Sequence, residues 1–282
     1  MLEAPRRLAV IGHPISHSRS PAIHTAAFEA LGLADEWRYE AIDVSPEEFA
    51  QRTRALPRDG FVGTNVTVPH KQAALGLADT ASDAAGEIGA ANTLSFRRGA
   101  IGADNTDAPG FLAALPESPA GRTALVLGAG GSARAVVWAL VREGAEVRVW
   151  NRTAERAERL AAELGATRLD VEGELPSREF DLIVNATSVG MEPPAGAASG
   201  RSVGPGSDLE ALHLSREGLR DGHVVVDLVY GSGTTQLIRV AGERGAAAVD
   251  GLEVLVHQGA ASFRIWTGLE PPLDVMRAAA RG

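Results

Sequence analysis

Apolar, strand-like runs alternate with helix-patterned segments along almost the whole chain, and that rhythm leaves few folds open. Residues 8–12, 37–44 and 60–68 read as strands. A helix is expected at 21–31 behind Ser20-Pro21, a second from Ser45-Pro46 with Glu47 and Glu48 in its first turn, and a third starting at Pro69-His70-Lys71. A return to strand is expected over 93–101, around the turn Arg98-Gly99. From residue 122 the pattern is plainer. Strands are expected at 122–127, 145–150, 180–186, 224–229 and 246–249, and helices at 134–143, 153–164, 234–244, 252–266 and 273–280, with a loop over 189–208. This alternation predicts parallel strands joined by crossover helices, an α/β fold. A chain of 282 residues has room for about two domains of ~150 residues, each with its own core.

Several function classes fall away on composition. The formal charge is −9, which argues against a nucleic-acid binder with a basic surface. There is no cysteine, so disulfides, thiolate catalysis and Cys-based metal sites are excluded. No apolar run approaches the ~20 residues of a membrane span, and the N-terminus lacks the long apolar stretch of a signal peptide. A cytoplasmic protein is expected. The histidines at 13, 17, 24 and 70 fit no compact metal motif, so no metal is expected.

Behind the strand at 122–127 comes Gly128-Ala129-Gly130-Gly131-Ser132-Ala133, and then a helix. Strand, G-x-G-x-x-A, helix is the arrangement of a dinucleotide-binding fingerprint. The first glycine allows the tight turn, the second lets backbone amides approach a pyrophosphate, and the small third residue permits close helix–strand packing. The helix N-terminus brings partial positive charge to the phosphates, which gives an acidic chain a local means of holding an anion. Some twenty residues on, where NAD binders carry an acid, this chain has Asn151-Arg152-Thr153 with Arg156 one turn further. Arg152 and Arg156, aided by Thr153, would clamp a 2′-phosphate, which points to NADP. The alternative is that these arginines pair with Glu155 and Glu158 on a solvated helix.

The rarest residue marks the second site. Lys71 is the sole lysine, against 26 arginines. Lysine can give up a proton where its surroundings allow, whereas arginine cannot. It follows a strand end in Thr64-Asn65-Val66-Thr67-Val68-Pro69-His70, where Asn65 and Thr67 share a face. Ligands in open α/β sheets bind beyond the carboxyl ends of strands. Asp107 closes a second polar turn, residues 102–107, and could meet Lys71 across a cleft between domains; the alternative is that it only caps the helix running into Phe111 and Leu112. Ser16 and Ser18, after the first strand, could hold a carboxylate without a cation, or form an ordinary polar turn.

Taken together, the motifs match a family. P-I-S-H-S-x-S-P at 14–21, N-V-T-V-P-H-K at 65–71, G-A-A-N-T at 89–93 and N-T-D at 105–107 resemble shikimate dehydrogenase. So do G-A-G-G-S-A-R at 128–134, N-R-T at 151–153, N-A-T-S-V-G-M at 185–191 and G-L-E-V-L-V-H-Q-G-A at 251–260. The match runs in order over nearly the whole chain and departs at Thr25 and at Ala103-Asp104. The resemblance implies NADP-dependent interconversion of 3-dehydroshikimate and shikimate in aromatic amino-acid biosynthesis. It implies that Ser16 and Ser18, with Tyr230, take the substrate carboxylate. Asn65, Thr67, Lys71, Asn92, Asp107 and Gln258 would surround the ring hydroxyls, with Lys71 as proton acceptor assisted by Asp107. Asp83, Thr187, Ser188, Met191, Leu228 and Gly251 would lie near the cofactor, with 128–133, Asn151, Arg152, Thr153 and Arg156.

The expected architecture is therefore an open, mainly parallel α/β substrate domain, residues 1–103 completed by helices in 252–282, and a Rossmann-type NADP-binding domain, residues 104–251. A small-molecule substrate is expected, with a homodimer as the assembly and neither nucleic acid nor membrane as partner. The rival readings are a quinate/shikimate enzyme using NAD(P), a non-catalytic NADP sensor, and a dinucleotide enzyme of another substrate class such as a methylene-folate dehydrogenase.

Overall fold

The structure, a computed structural model, describes residues 4–191, 208–231 and 233–282. The loop expected over 189–208 therefore falls mostly outside the described residues. The chain forms two compact units, Met1–Gly110 with Leu255–Gly282, and Phe111–Val254.

In the first unit, β1 (Arg6–Gly12), α1 (Ser20–Ala30), β2 (Trp37–Asp43), α2 (Phe49–Ala55), β3 (Phe61–Val66) and α3 (Lys71–Leu77) follow the expected alternation. They are followed by β4 (Thr80–Ala81), α4 (Asp83–Ile88), β5 (Thr93–Arg97), β6 (Ala100–Asp104) and α5 (Asp107–Ala114), whose last residues pass into the second unit. The sheet order is β2-β1-β3-β5-β6-β4. β1 pairs in parallel with β2 and β3, whereas β5 runs antiparallel to both β3 and β6. The β5–β6 hairpin turns on Arg98 and Gly99 at φ 53° and 80°, the positive-φ pair that suits the right-handed twist of flanking strands. Ala9, Ile11, Phe49, Phe61, Val66, Leu94 and Ile101 form the core beneath it.

In the first unit two expected helix starts move. α1 is capped at Arg19 rather than Ser20. α2 starts at Phe49 rather than behind Ser45-Pro46, because residues 45–48 close a turn of their own: Glu48 N–H donates to Ser45 O at 3.2 Å and Ser45 Oγ to Glu48 Oε2 at 3.0 Å.

The second unit holds β7 (Thr123–Leu127), α6 (Gly131–Arg142), β8 (Glu146–Trp150), α7 (Ala154–Leu164), β9 (Thr167–Arg168), β10 (Leu182–Asn185), α8 (Asp208–Ala211), β11 (Val224–Asp227), α9 (Gln236–Glu243) and β12 (Ala247–Val249). All pairs are parallel, in the order β12-β11-β10-β7-β8-β9. Read from the other edge this is 3-2-1-4-5-6, the doubly wound dinucleotide-binding order. β10 and β11 are buried at every position, as strands covered on both faces must be. α10 (Gly251–Thr267) and α11 (Leu273–Arg281) end the chain, and α11 packs on α1 in the first unit.

The division falls at 110/111 and 254/255, not at 103/104 and 251/252. Residues 104–110 stay with the first unit for a local reason. Asp104 still pairs with Thr93 in β5, Asn105 Nδ2 donates to Ala90 O, and Gly110 lies so close to Gln258 that a Cβ there would come within 2.6 Å of its backbone nitrogen.

Candidate active site

In the first unit the polar residues converge on one buried network. Lys71 opens α3, 9% exposed, and its Nζ donates to Asp107 Oδ2 at 2.7 Å. Asn92 Nδ2 reaches Asp107 Oδ1 and Thr106 Oγ1, each at 2.9 Å, and Gln258 Oε1 at 3.1 Å; its Oδ1 accepts from Thr106 N–H at 2.7 Å. Asn65 Nδ2 donates to Asn92 O and to Thr93 Oγ1, while its Oδ1 accepts from Tyr39 Oη at 2.7 Å. Asn65, Lys71, Asn92, Asp107 and Gln258 thus meet as expected. The pair is made within one unit, however, and not across a cleft between domains, because Asp107 remains with the first unit. Nor is Asp107 the helix cap. Asn105 Oδ1 accepts from the amides of Asp107 and Ala108 at 3.1 and 3.2 Å, so both carboxylate oxygens of Asp107 are left for Lys71 and Asn92.

The remaining expected residues of this unit are Ser16, Ser18, Thr67 and Asp83. The loops after β1, β2 and β3 share the carboxyl edge of the sheet. His13 Nδ1 lies 2.6 Å from Asp43 Oδ1, Val44 N–H donates to Gly12 O, and His70 Nε2 lies 2.7 Å from Val44 O. Burial holds His70 below the ordinary histidine value. Ser16 is exposed, and half-buried Ser18 accepts from Ser20 N–H at 3.3 Å, so the Ser18 hydroxyl already serves the local turn. Thr67 is half-buried with its methyl group against Gly12, where a Cβ would come within 2.4 Å. Asp83 is exposed in the first turn of α4, which Ser82 caps through Ala85 N–H. The sequence does not single out Tyr39 or Thr106 for this site.

In the second unit the glycine turn sits where the strand order reverses. Gly128 follows the central strand β7 at φ 112°, and a Cβ there would meet Ala186 O, after β10, at 2.8 Å. Gly130 caps α6 and faces open space. Arg134 N–H donates back to Gly130 O, so the amides ahead of it precede the helix's own bonding ladder. This is an open cradle that fits a pyrophosphate. Buried Ala133 lets α6 lie close on the sheet. Asn151 Nδ2 donates to Thr153 O, turning the chain into α7, which leaves Arg152, Thr153 and Arg156 exposed. Glu158 pairs with Arg168 at 3.0 Å, and among the described residues neither Arg152 nor Arg156 makes an ion pair. The two arginines therefore remain available for a phosphate.

Beyond β10, Thr187 is half-buried, Ser188 is exposed and Met191 is 39% exposed. Leu228 and Tyr230 are half-buried after β11. Buried Gly251 would carry a Cβ within 2.7 Å of the carbonyls of Leu228 and Val229. Asp227, absent from the expected set, is 1% exposed at the end of β11. Burial, with the charge of Asp208 adding to it, pushes its carboxyl up to about 6 against the pull of hydrogen bonds from Thr235, Val229 and Asn185. An acid closing the apolar run Val224-Val225-Val226 is a signal that the sequence does contain. Among the described residues no group of three acidic or histidine side chains could hold a metal, and no helix is long and apolar enough to cross a membrane.

A doubly wound parallel sheet with a glycine turn at its switch point, in a chain whose other unit buries a lysine–carboxylate pair, defines a dinucleotide-dependent oxidoreductase. Residues 10–94 match the family described as shikimate dehydrogenase substrate binding domain, 113–191 that of shikimate / quinate 5-dehydrogenase, and 251–281 the shikimate 5'-dehydrogenase C-terminal domain. A shikimate dehydrogenase (NADP(+)) of Thermus thermophilus is 46% identical, over 98% of this chain and 97% of its own. That of Methanopyrus kandleri is 43% identical over 96% and 93%. A crystal structure of shikimate 5-dehydrogenase from a second Thermus thermophilus strain, in complex with NADP(H) and shikimate, superposes with a TM-score of 0.83 at 43% identity, covering 98% of both chains. The chain belongs to the shikimate dehydrogenase family.

Proposed function

We propose that the protein interconverts 3-dehydroshikimate and shikimate with NADP, and that Lys71 handles the proton. The observation that carries the reading is the buried Lys71–Asp107 contact at 2.7 Å, set in a network that includes the side-chain amides of Asn65, Asn92 and Gln258. When bound, NADP supplies or accepts the hydride. In the oxidation direction Lys71 Nζ takes the proton of the reacting hydroxyl; in reduction it returns one. Asp107 holds the amine in place and shares its proton, and Asn92 fixes Asp107 through the second carboxylate oxygen. Such positioned acid–base chemistry contributes about 10²–10⁴ in rate.

Asn65, itself held by Tyr39, together with Thr67, Asn92 and Gln258, orients the ring hydroxyls, and Ser16, Ser18 and Tyr230 take the carboxylate. The glycine turn 128–133 receives the pyrophosphate and Asn151, Arg152, Thr153 and Arg156 the 2′-phosphate. Asp83, Thr187, Ser188, Met191, Leu228 and Gly251 complete the cofactor's surroundings. The protein acts in the cytoplasm on this small molecule, as a homodimer.

The test is the change in reduced-nicotinamide absorbance with purified protein, using shikimate or quinate and NADP or NAD. Turnover fastest with shikimate and NADP supports the reading. A preference for quinate with NAD would favour the rival enzyme, and no turnover with any pair would favour a sensor. Light scattering checks the assembly.

A further inference from the structure

We infer that Asp227 is a positioning residue: its carboxylate holds, through the Asn185 amide, the loop 186–191, and, through the Val229 amide, the segment that carries Tyr230. Asp227 and Asn185 end adjacent strands in register, and Asn185 Nδ2 donates to Asp227 Oδ1 at 2.8 Å. With Nδ2 so fixed, the Asn185 amide can point only one way. Its Oδ1 accepts from Thr187 N–H at 3.0 Å and Thr187 Oγ1 at 2.7 Å, and Nδ2 also reaches Val189 O at 3.1 Å. Thr187 Oγ1 in turn accepts from Val189 N–H at 3.0 Å. On the other side, Asp227 Oδ1 accepts from Val229 N–H at 3.1 Å, one residue before Tyr230, and Oδ2 accepts from Thr235 Oγ1 at 2.7 Å.

A carboxylate this buried, with no cation bonded to it among the described residues, is costly to keep. An apolar residue would suit the strand but would leave the amide of Asn185 without its anchor. The inference rests on the NADP-dependent reading, since it assigns the loop 186–191 to the cofactor.

The experiment compares wild type, Asp227→Leu, Asp227→Ala and Asp227→Asn by hydrogen–deuterium exchange of the ligand-free protein and by calorimetric titration with NADP. Asp227→Leu keeps the branch at Cγ and removes the buried charge, and the near-isosteric Asp227→Asn keeps the comparison readable if an apolar variant does not fold. The leucine variant is expected to exchange about tenfold faster across 186–191, with β7 and α6 at wild-type rates, and to bind NADP about tenfold more weakly. Asp227→Asn keeps an acceptor for Asn185 and Val229 and is expected to restore NADP affinity to within about threefold of wild type. Unchanged exchange at 186–191 and unchanged NADP affinity in the leucine variant would overturn the inference. So would faster exchange spread evenly over β7 and α6, the mark of a merely structural role. Wild-type turnover, measured alongside, separates this outcome from failure of the proposed function, because the exchange arm needs no substrate.

Discussion

Lys71 is where replacing a single side chain is most informative, because arginine can keep its contact with Asp107 while losing its chemistry. A guanidinium retains the ion pair but does not release a proton near neutral pH. Lys71→Ala and Lys71→Arg are therefore both expected to lower kcat by about 10²–10⁴ with the KM for shikimate changed far less. If Lys71→Arg turned over like wild type, the side chain would be an anchor and not a proton carrier. Arg152 and Arg156 invite the complementary experiment in the second unit. Each is exposed and makes no ion pair among the described residues, so replacing one removes little from the fold. Arg152→Ala is expected to weaken NADP by about 10–100-fold and leave NAD within a factor of about two, as for a lost charge-assisted contact to phosphate. The ratio of kcat/KM for the two cofactors checks this, and equal losses with both would place Arg152 outside the phosphate site.

At the scale of helices and strands, close approach between α5 and α10 within the first unit carries the geometry of the network. A Cβ at Gly110 would lie 2.6 Å from Gln258 N and 2.7 Å from its Cα. Backbone cannot yield as a flexible side chain can, so Gly110→Ala is expected to cost about 1–3 kcal/mol of stability and to pull Gln258 away from Asn92. Melting temperature and the KM for shikimate should both respond, while NADP affinity, measured by calorimetry, should hold. A rise in NADP Kd as large as that in KM would contradict this assignment. The glycine turn of the second unit was legible because strand, G-x-G-x-x-A and helix are contiguous, and their chemistry is local. The start of α2 was not, since the choice between a free-standing turn and a first helical turn at 45–48 rests on the Ser45–Glu48 contacts. The short α4 offers too few apolar positions to show a period. Asn92 is a third case: its motif marks it, but its bonds to Thr106 and Gln258 depend on β5 running antiparallel between β3 and β6 and on a helix 166 residues away. The lysine–carboxylate pair was legible as two residue types, and its placement within one unit was not, because that depends on Asp104 pairing with Thr93, Asn105 reaching Ala90 O and Gly110 lying against Gln258.

For the whole molecule, the buried titratable groups determine how stability responds to acid, and the histidines and Asp227 act with opposite signs. His24 is fully buried in the first unit, stacked on Tyr39 at 4.2 Å among Phe28, Phe263 and Trp266, with neither ring nitrogen hydrogen-bonded among the described residues. Burial lowers its pKa to about 3. The unfolded chain takes up this proton near pH 6.5 and the folded chain does not, so the contribution is full above about 6.5 and falls away below it. At pH 5 the loss is about 2 kcal/mol, from 1.5 units at 1.36 kcal/mol each. His70 and His223, also lowered by burial, act in the same direction. Asp227 opposes them. With its folded value raised to about 6, the folded chain binds the proton first, and stability is gained as pH falls from about 6 toward 4. Urea denaturation followed by circular dichroism at pH 7.5, 6 and 5 is expected to show net loss on acidification, because three histidines outweigh one carboxyl. Two variants separate the contributions. His24→Phe keeps an aromatic ring in the stack, and its stability relative to wild type should rise by about 2 kcal/mol between pH 7.5 and 5. Asp227→Asn should move the other way, losing ground to wild type over the same interval. A pH-independent gap between wild type and either variant would mean that the group does not titrate differently on folding.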